Sequence, residues 1–188
     1  RRTLVLALGA TCLFAVANPP VQKANYQVIP LPQEISVQQG KPFVLTAYTV
    51  IAYPEGNAKL KRNAELLADY IFNLTGTQLP VVTKAPSSNA IVLSDNLKSE
   101  NPEAYNLTIT PDFITINGAS AAGNFYGCQT LRKSIPEQKT TIVEFPCANI
   151  SDQPRFAYRG AHLDVGRHFF PVDSVKSFID MIALHNIN

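Results

Sequence analysis

Apolar and polar positions change period several times along the chain. Val28-Ile29-Pro30-Leu31-Pro32 reads as an extended, proline-punctuated lead-in. Phe43-Val44-Leu45 and the stretch from Tyr48 to Ala52 are rich in β-branched and aromatic residues, which predicts strands. Leu60, Ala64, Leu67, Ala68, Ile71 and Leu74 then recur at helical spacing, and Thr75-Gly76 supplies the stop. Pro80-Val81-Val82 and Ala90 to Leu93 predict short strands. Tyr105, Leu107 and Ile109 alternate with polar residues, Pro111-Asp112 turns the chain, and Phe113 to Ile116 returns, so a hairpin is expected. A second helix carries Ala121, Phe125, Cys128, Leu131 and Ile135 on one face, and Ile142 to Phe145 predicts another strand. Two helices on a mostly antiparallel sheet make an α+β domain over residues 25–150.

After Pro154 the pattern differs. Phe156 to Val165 is apolar or small except for Arg159, His162 and Asp164, and predicts a strand with His162 packed in its middle. Gly166-Arg167-His168-Phe169-Phe170 forms a loop. Pro171 then leads into a helix capped by Asp173 or Ser174, with Val175, Phe178, Ile179, Ile182 and Ala183 on its apolar face. One β-loop-α unit cannot cover both strand faces or complete its hydrogen-bond ladder. Residues 154–188 are therefore expected to open a larger α/β domain that is truncated at Asn188.

Composition sharpens this picture. Of 188 residues, 46% are hydrophobic and 16% charged, enough for a buried core and unlike a disordered chain. A complete (β/α)8 barrel needs about 250 residues and does not fit. The single methionine is Met181, so the sequence has no initiator at its start. Arg1-Arg2, the uncharged run from Thr3 to Ala17 and the small-x-small end Ala15-Val16-Ala17 have the form of a secretory signal peptide over residues 1–17, cleaved before Asn18. The run is too short for a membrane span, and Thr11 is a bulky neighbour for lipoprotein processing at Cys12. The expected location is outside the cytoplasm: periplasmic, secreted or at the outer surface. Removing Arg1 and Arg2 leaves 14 basic against 14 acidic residues. Such a neutral surface has no basic stripe to neutralise phosphates, so no nucleic-acid partner is expected.

Candidate chemistry gathers at the end of the last predicted strand. Asp164, Arg167 and His168 cluster where strand ends and helix beginnings build sites in α/β folds. Arg167 offers five donors in a rigid fork, suited to adjacent sugar hydroxyls or to a carboxylate; a structural salt bridge is the alternative. His168 adjoins it without a Ser or Cys nucleophile beside it. Arg159 enters at the opposite end and reads as a structural ion-pair partner, with Asp164 as the candidate mate. Cys128 and Cys147 read as buried free thiols in preference to a bridge. No spacing suggests a metal or cofactor. Asn73, Asn106 and Asn149 open glycosylation-acceptor tripeptides of little weight in a chain rich in Asn, Ser and Thr.

The segment Arg155-Phe-Ala-Tyr-Arg-Gly-Ala-His-Leu-Asp-Val-Gly-Arg-His-Phe-Phe170 resembles the opening of the catalytic barrel of glycoside hydrolase family 20, the β-N-acetylhexosaminidases. Val28 to Pro32 and Asn124-Phe-Tyr-Gly-Cys-Gln-Thr-Leu-Arg132 resemble that family's amino-terminal α+β domain, with Cys128 where a larger aliphatic residue is usual. The resemblance implies an exported enzyme acting on glycans with terminal β-linked N-acetylglucosamine or N-acetylgalactosamine. It implies a substrate-assisted mechanism, an exception to the two-carboxylate nucleophile scheme. The substrate's 2-acetamido oxygen attacks the anomeric carbon while a glutamic acid transfers the proton and a neighbouring aspartate orients the acetamido group. That Asp-Glu pair is expected beyond Asn188, for no adjacent Asp-Glu occurs in the chain. Of the family's functional residues only Arg167 carries over, resembling the arginine that binds the terminal sugar's 3- and 4-hydroxyls; Asp164, His168 and Arg159 are supporting residues by position alone, Arg159 structural on both readings. The alternatives are a non-catalytic glycan-binding module and another exported glycoside hydrolase with a similar α+β domain.

Overall fold

A computed structural model describes residues 21–137 and 142–188. The expected signal segment 1–17 and Cys12 lie outside the described residues.

The α+β domain is built on seven strands, β2 (Glu34–Val37), β4 (Val50–Ala52), β5 (Val81–Val82), β6 (Ala90–Ser94), β7 (Tyr105–Ile109), β8 (Phe113–Gly118) and β10 (Ala148–Asp152), in the order β2-β10-β7-β8-β6-β4-β5. A smaller sheet joins β1 (Gln22–Lys23), β9 (Val143–Phe145) and β3 (Phe43–Leu45). In the large sheet β2, β10, β7 and β8 pair antiparallel, whereas β8, β6, β4 and β5 pair parallel. The α+β class holds, and the sheet is mixed where a mostly antiparallel one was expected. The helix between β4 and β5 returns the chain in the same direction and makes that pair parallel; β6 and β8 extend the parallel half.

That helix, α1 (Ala58–Thr75), begins where the Asn57 side chain accepts the Leu60 N–H at 3.0 Å. It ends at Gly76, whose φ of 75° suits a residue without Cβ and whose N–H reaches the Phe72 carbonyl at 2.7 Å. Its face of Leu60, Ala64, Leu67, Ala68 and Ile71 is buried against the sheet, as the spacing predicts.

The second helix, α2 (Ala121–Ser134), is capped by Ser120 and lies beside α1. Ala121 and Phe125, expected on its core face, are only half-buried, while Gly123, Asn124, Gly127, Cys128 and Leu131 face inward. The two glycines explain the offset, because they let the helix lie close against the loop before β7 and against side chains of β7 and β8. A Cβ at Gly123 would sit 2.2 Å from the Ala104 carbonyl oxygen, and one at Gly127 would sit 2.4 Å from Ile116 Cγ2. Asn124 spends its amide on Ser94 O at 3.0 Å and Ile116 O at 2.9 Å, and its oxygen accepts from Asn63 Nδ2 at 3.1 Å. This network ties α1, α2 and two strands together. Phe43 and Phe145 pack edge to face at 6.4 Å and join the small sheet to the same core. Cys128 and Cys147 are buried and free; burial pushes the Cys128 thiol up, so it stays protonated.

Beyond β10 the chain crosses residues 153–171 without a strand ladder and enters α3 (Val172–Ala183). The expected strand from Phe156 to Val165 is not formed. A strand exists only with a hydrogen-bonded neighbour, and none lies alongside among the described residues. Tyr158 is 83% exposed and His162 is also exposed, not packed. Helix α3 starts after Pro171 with no side-chain cap, so neither Asp173 nor Ser174 caps it; Asp173 lies in the first turn.

Candidate functional site

The loop after residue 163 is organised by one carboxylate. Asp164 Oδ1 accepts the backbone N–H of Gly166 at 2.9 Å and of Arg167 at 3.1 Å, and Oδ2 accepts Arg167 Nε. The Arg167 backbone bond, followed by its guanidinium, holds the Asp164 carboxyl below the usual carboxylate range. The Arg167 side chain is 86% exposed, so its terminal nitrogens project from the loop into solvent. His168 is exposed beside it. Asp164, Arg167 and His168 share one loop, without the strand expected before it, and Asp164 pairs with Arg167.

Arg159 has a different partner from the one anticipated. It forms a two-pronged pair with Glu103, in which Nη1 reaches Oε2 at 2.9 Å and Nη2 reaches Oε1 at 3.0 Å. Nη2 also donates to Tyr126 Oη at 2.9 Å, Nη1 to Phe156 O at 2.7 Å, and Nε to Asn186 O at 2.7 Å. Tyr126 donates to Glu103 Oε1 at 3.0 Å. The guanidinium stands over the Tyr126 ring, 5.3 Å from its centroid. Both charged side chains retain 16% of their exposure, and the Arg159 hydrogen bonds hold Glu103 below its ordinary range. Asp164 was the expected mate, yet it is occupied three residues away by Arg167.

The end of the chain closes onto the same knot. Arg159 N–H donates to Asn188 Oδ1 at 2.9 Å, and Asn188 N–H returns to Arg159 O at 3.0 Å. The segment after β10 is thereby stapled to α2 and to the loop before β7. Beside the staple lies a cavity of about 300 Å³, lined by Leu31, Tyr105, Tyr126, Asp152, Phe156 and Arg159. Asp152 accepts from Tyr105 Oη at 3.1 Å, and burial raises its carboxyl above the usual range. Glu103 and Tyr126 carried no signal in the sequence, since they lie 56 and 33 positions from Arg159.

Among the described residues no three His, Cys, Asp or Glu side chains gather to hold a metal, and no helix is long and apolar enough to cross a membrane. Chemically, the arrangement separates a half-buried, saturated arginine that joins two parts of the fold from an exposed arginine with donors to spare.

The α+β domain is thus fastened to a segment that carries an arginine-bearing loop and continues into α3. The profile of "Glycosyl hydrolase family 20, domain 2" matches residues 25–153, and that of the family's catalytic domain matches residues 156–188. A β-N-acetylhexosaminidase of Cellulomonas fimi is 35% identical over 164 residues, 86% of this chain and 33% of the relative. A β-hexosaminidase of Porphyromonas gingivalis is 33% identical over 177 residues, 90% of this chain and 22% of the relative. The solved family 20 β-N-acetylhexosaminidase of Streptomyces coelicolor A3(2) superposes with a TM-score of 0.77 at 34% identity, covering 92% of this chain and 35% of that one. The chain belongs to glycoside hydrolase family 20. It spans about a third or less of the length of these relatives.

Proposed function

We propose that the protein carrying this chain is an exported β-N-acetylhexosaminidase that removes terminal β-linked N-acetylhexosamine by a substrate-assisted, retaining mechanism. The observation that carries the reading is Arg167. It lies within the segment matched to the catalytic domain, with its side chain 86% exposed and, of its guanidinium, only Nε engaged by Asp164. In the proposed role its terminal nitrogens donate to the 3- and 4-hydroxyls of the sugar. The acetamido group is then placed to attack the anomeric carbon, and an intramolecular nucleophile needs only orientation and a proton donor. No adjacent Asp-Glu occurs in this chain, and the pair that would serve these needs is part of the same proposal. Arg159 takes no part in the chemistry; it fastens the domains together.

The test uses the full-length protein and an aryl N-acetyl-β-glucosaminide. Arg167→Ala removes charged hydrogen bonds worth about 2–4 kcal/mol in sum, so kcat/KM is expected to fall roughly 30- to 1000-fold. Lys98→Ala, in an exposed loop of the α+β domain, is expected to leave activity unchanged. Equal effects of the two substitutions would overturn the role of Arg167. Absence of any release of the aryl group would overturn the enzymatic reading. Export is checked separately by sequencing the amino terminus of the processed protein, expected at Asn18.

A further inference from the structure

We propose that Asp164 is a positioning residue, holding the Arg167 guanidinium by Nε so that both terminal nitrogens are presented to the sugar. The proposal rests on the reading of Arg167 as a substrate-binding residue. A free arginine side chain carries several rotatable bonds, and ordering it on binding costs affinity. The cost is reduced when the fork is already held in the binding geometry.

The loop shows how this is done. Asp164 divides its two oxygens between the backbone and the side chain of the same neighbour. Oδ1 takes the N–H groups of Gly166 and Arg167, which fixes where the Arg167 Cα sits. Oδ2 takes Nε, the donor nearest the aliphatic stem, which fixes how the guanidinium plane is turned. A carboxylate seated on the terminal nitrogens would compete with the substrate; one seated on Nε does not. The Arg167 side chain is 86% exposed against 33% for Asp164, so the anchor lies beneath and the donors lie outward. Arg159 supplies the contrast. Its Nε and both terminal nitrogens are all occupied by protein acceptors, which leaves nothing for a ligand.

The alternative role for Asp164 is to shape the loop through Oδ1 alone. Asp164→Asn separates the two, because the amide oxygen still accepts both backbone N–H groups while the amide nitrogen cannot accept from Nε. In the full-length enzyme, Asp164→Ala and Asp164→Asn are both expected to lower kcat/KM about tenfold, chiefly through KM. In an Arg167→Ala background either change is expected to cost less than about twofold, the signature of two residues acting as one unit. Thermal melting of each variant checks that the fold is kept. Wild-type behaviour of Asp164→Asn overturns the proposal, and so does an equal loss in both backgrounds. If Arg167→Ala itself retains full activity, the reading of Arg167 falls and the proposal falls with it. Full effect of Arg167→Ala with no effect at Asp164 overturns the positioning role alone.

Discussion

Replacing Arg159 with alanine is expected to release the segment after β10 from the α+β domain while leaving that domain folded. The side chain makes a two-pronged pair with Glu103 and further bonds to Tyr126, Phe156 and Asn186, with 16% exposure left on each charged partner. Removing one member of a fully buried pair costs about 3–5 kcal/mol, largely because the other charge is stranded. Here Glu103 regains water as the segment lifts, so about 2–4 kcal/mol is expected, a roughly 30- to 1000-fold larger opening constant. Limited proteolysis of residues 156–188 in the 188-residue chain reads this constant directly when closing is faster than cleavage. Arg159→Lys keeps the charge but loses the fork, and is expected to recover only a small part of the protection. In a double-mutant cycle, Arg159→Ala and Glu103→Gln together should cost little more than either alone. Cleavage within threefold of wild type for Arg159→Ala, or strictly additive effects with Glu103→Gln, would refute the staple.

The sign of its pH dependence follows from Glu103. Its pKa is lowered in the folded state by the Arg159 hydrogen bonds, against about 4.3 for an unfolded glutamate. Stabilisation is therefore complete above that value and is lost as pH falls through the lower, folded one. Protection should be flat near neutrality as far as this group is concerned and weaken in acid, and Glu103→Gln should remove that acid step.

Two further substitutions probe the packing of α2, each read from the urea midpoint. Gly127→Ala gains about 1 kcal/mol of helix propensity. It nevertheless places a methyl 2.4 Å from Ile116 Cγ2 and 3.1 Å from Tyr105 Cδ2, so a net loss of about 1–2 kcal/mol is expected. A stabilised variant would show that the helix stands further from the sheet. Asn124→Ala strips a donor from Ser94 O and Ile116 O and an acceptor from Asn63, for a loss of about 2–3 kcal/mol. Unchanged stability would mean that the network carries no net energy.

What the sequence disclosed depended on whether the relevant physics was local. Helix α1 was legible because its period, its cap at Asn57 and its stop at Gly76 all lie within the element. The β7–β8 hairpin was legible through alternation and an adjacent turn. Strand β10 has no legible period, because only Ala148 and Ile150 are apolar within it. The buried face of α2 was legible at Cys128, Leu131 and Ile135 but not at Gly123, Asn124 and Gly127, because glycine and asparagine do not score as hydrophobic. The 156–165 strand was expected from composition, but strand formation depends on neighbours that composition does not contain. In the candidate site, Arg167 and Asp164 are close in sequence and were found together. The partner of Arg159 lies 56 residues away, and nothing local announces it.

The position of β10 has a consequence for the order in which the chain can fold. This strand lies between β2 and β7, pairing with residues more than a hundred positions upstream on one side. As the polypeptide emerges from its amino terminus, β2 has no partner and β7 has an open edge until residue 152 is made. The helices and the hairpin can assemble early, but the sheet closes late, through the long-range pairings that fold slowly. An open β7 is in the meantime a template for pairing with other chains. Since β10 runs almost directly into the Arg159 staple, closing the sheet and seating the next domain are consecutive acts of one short stretch of chain.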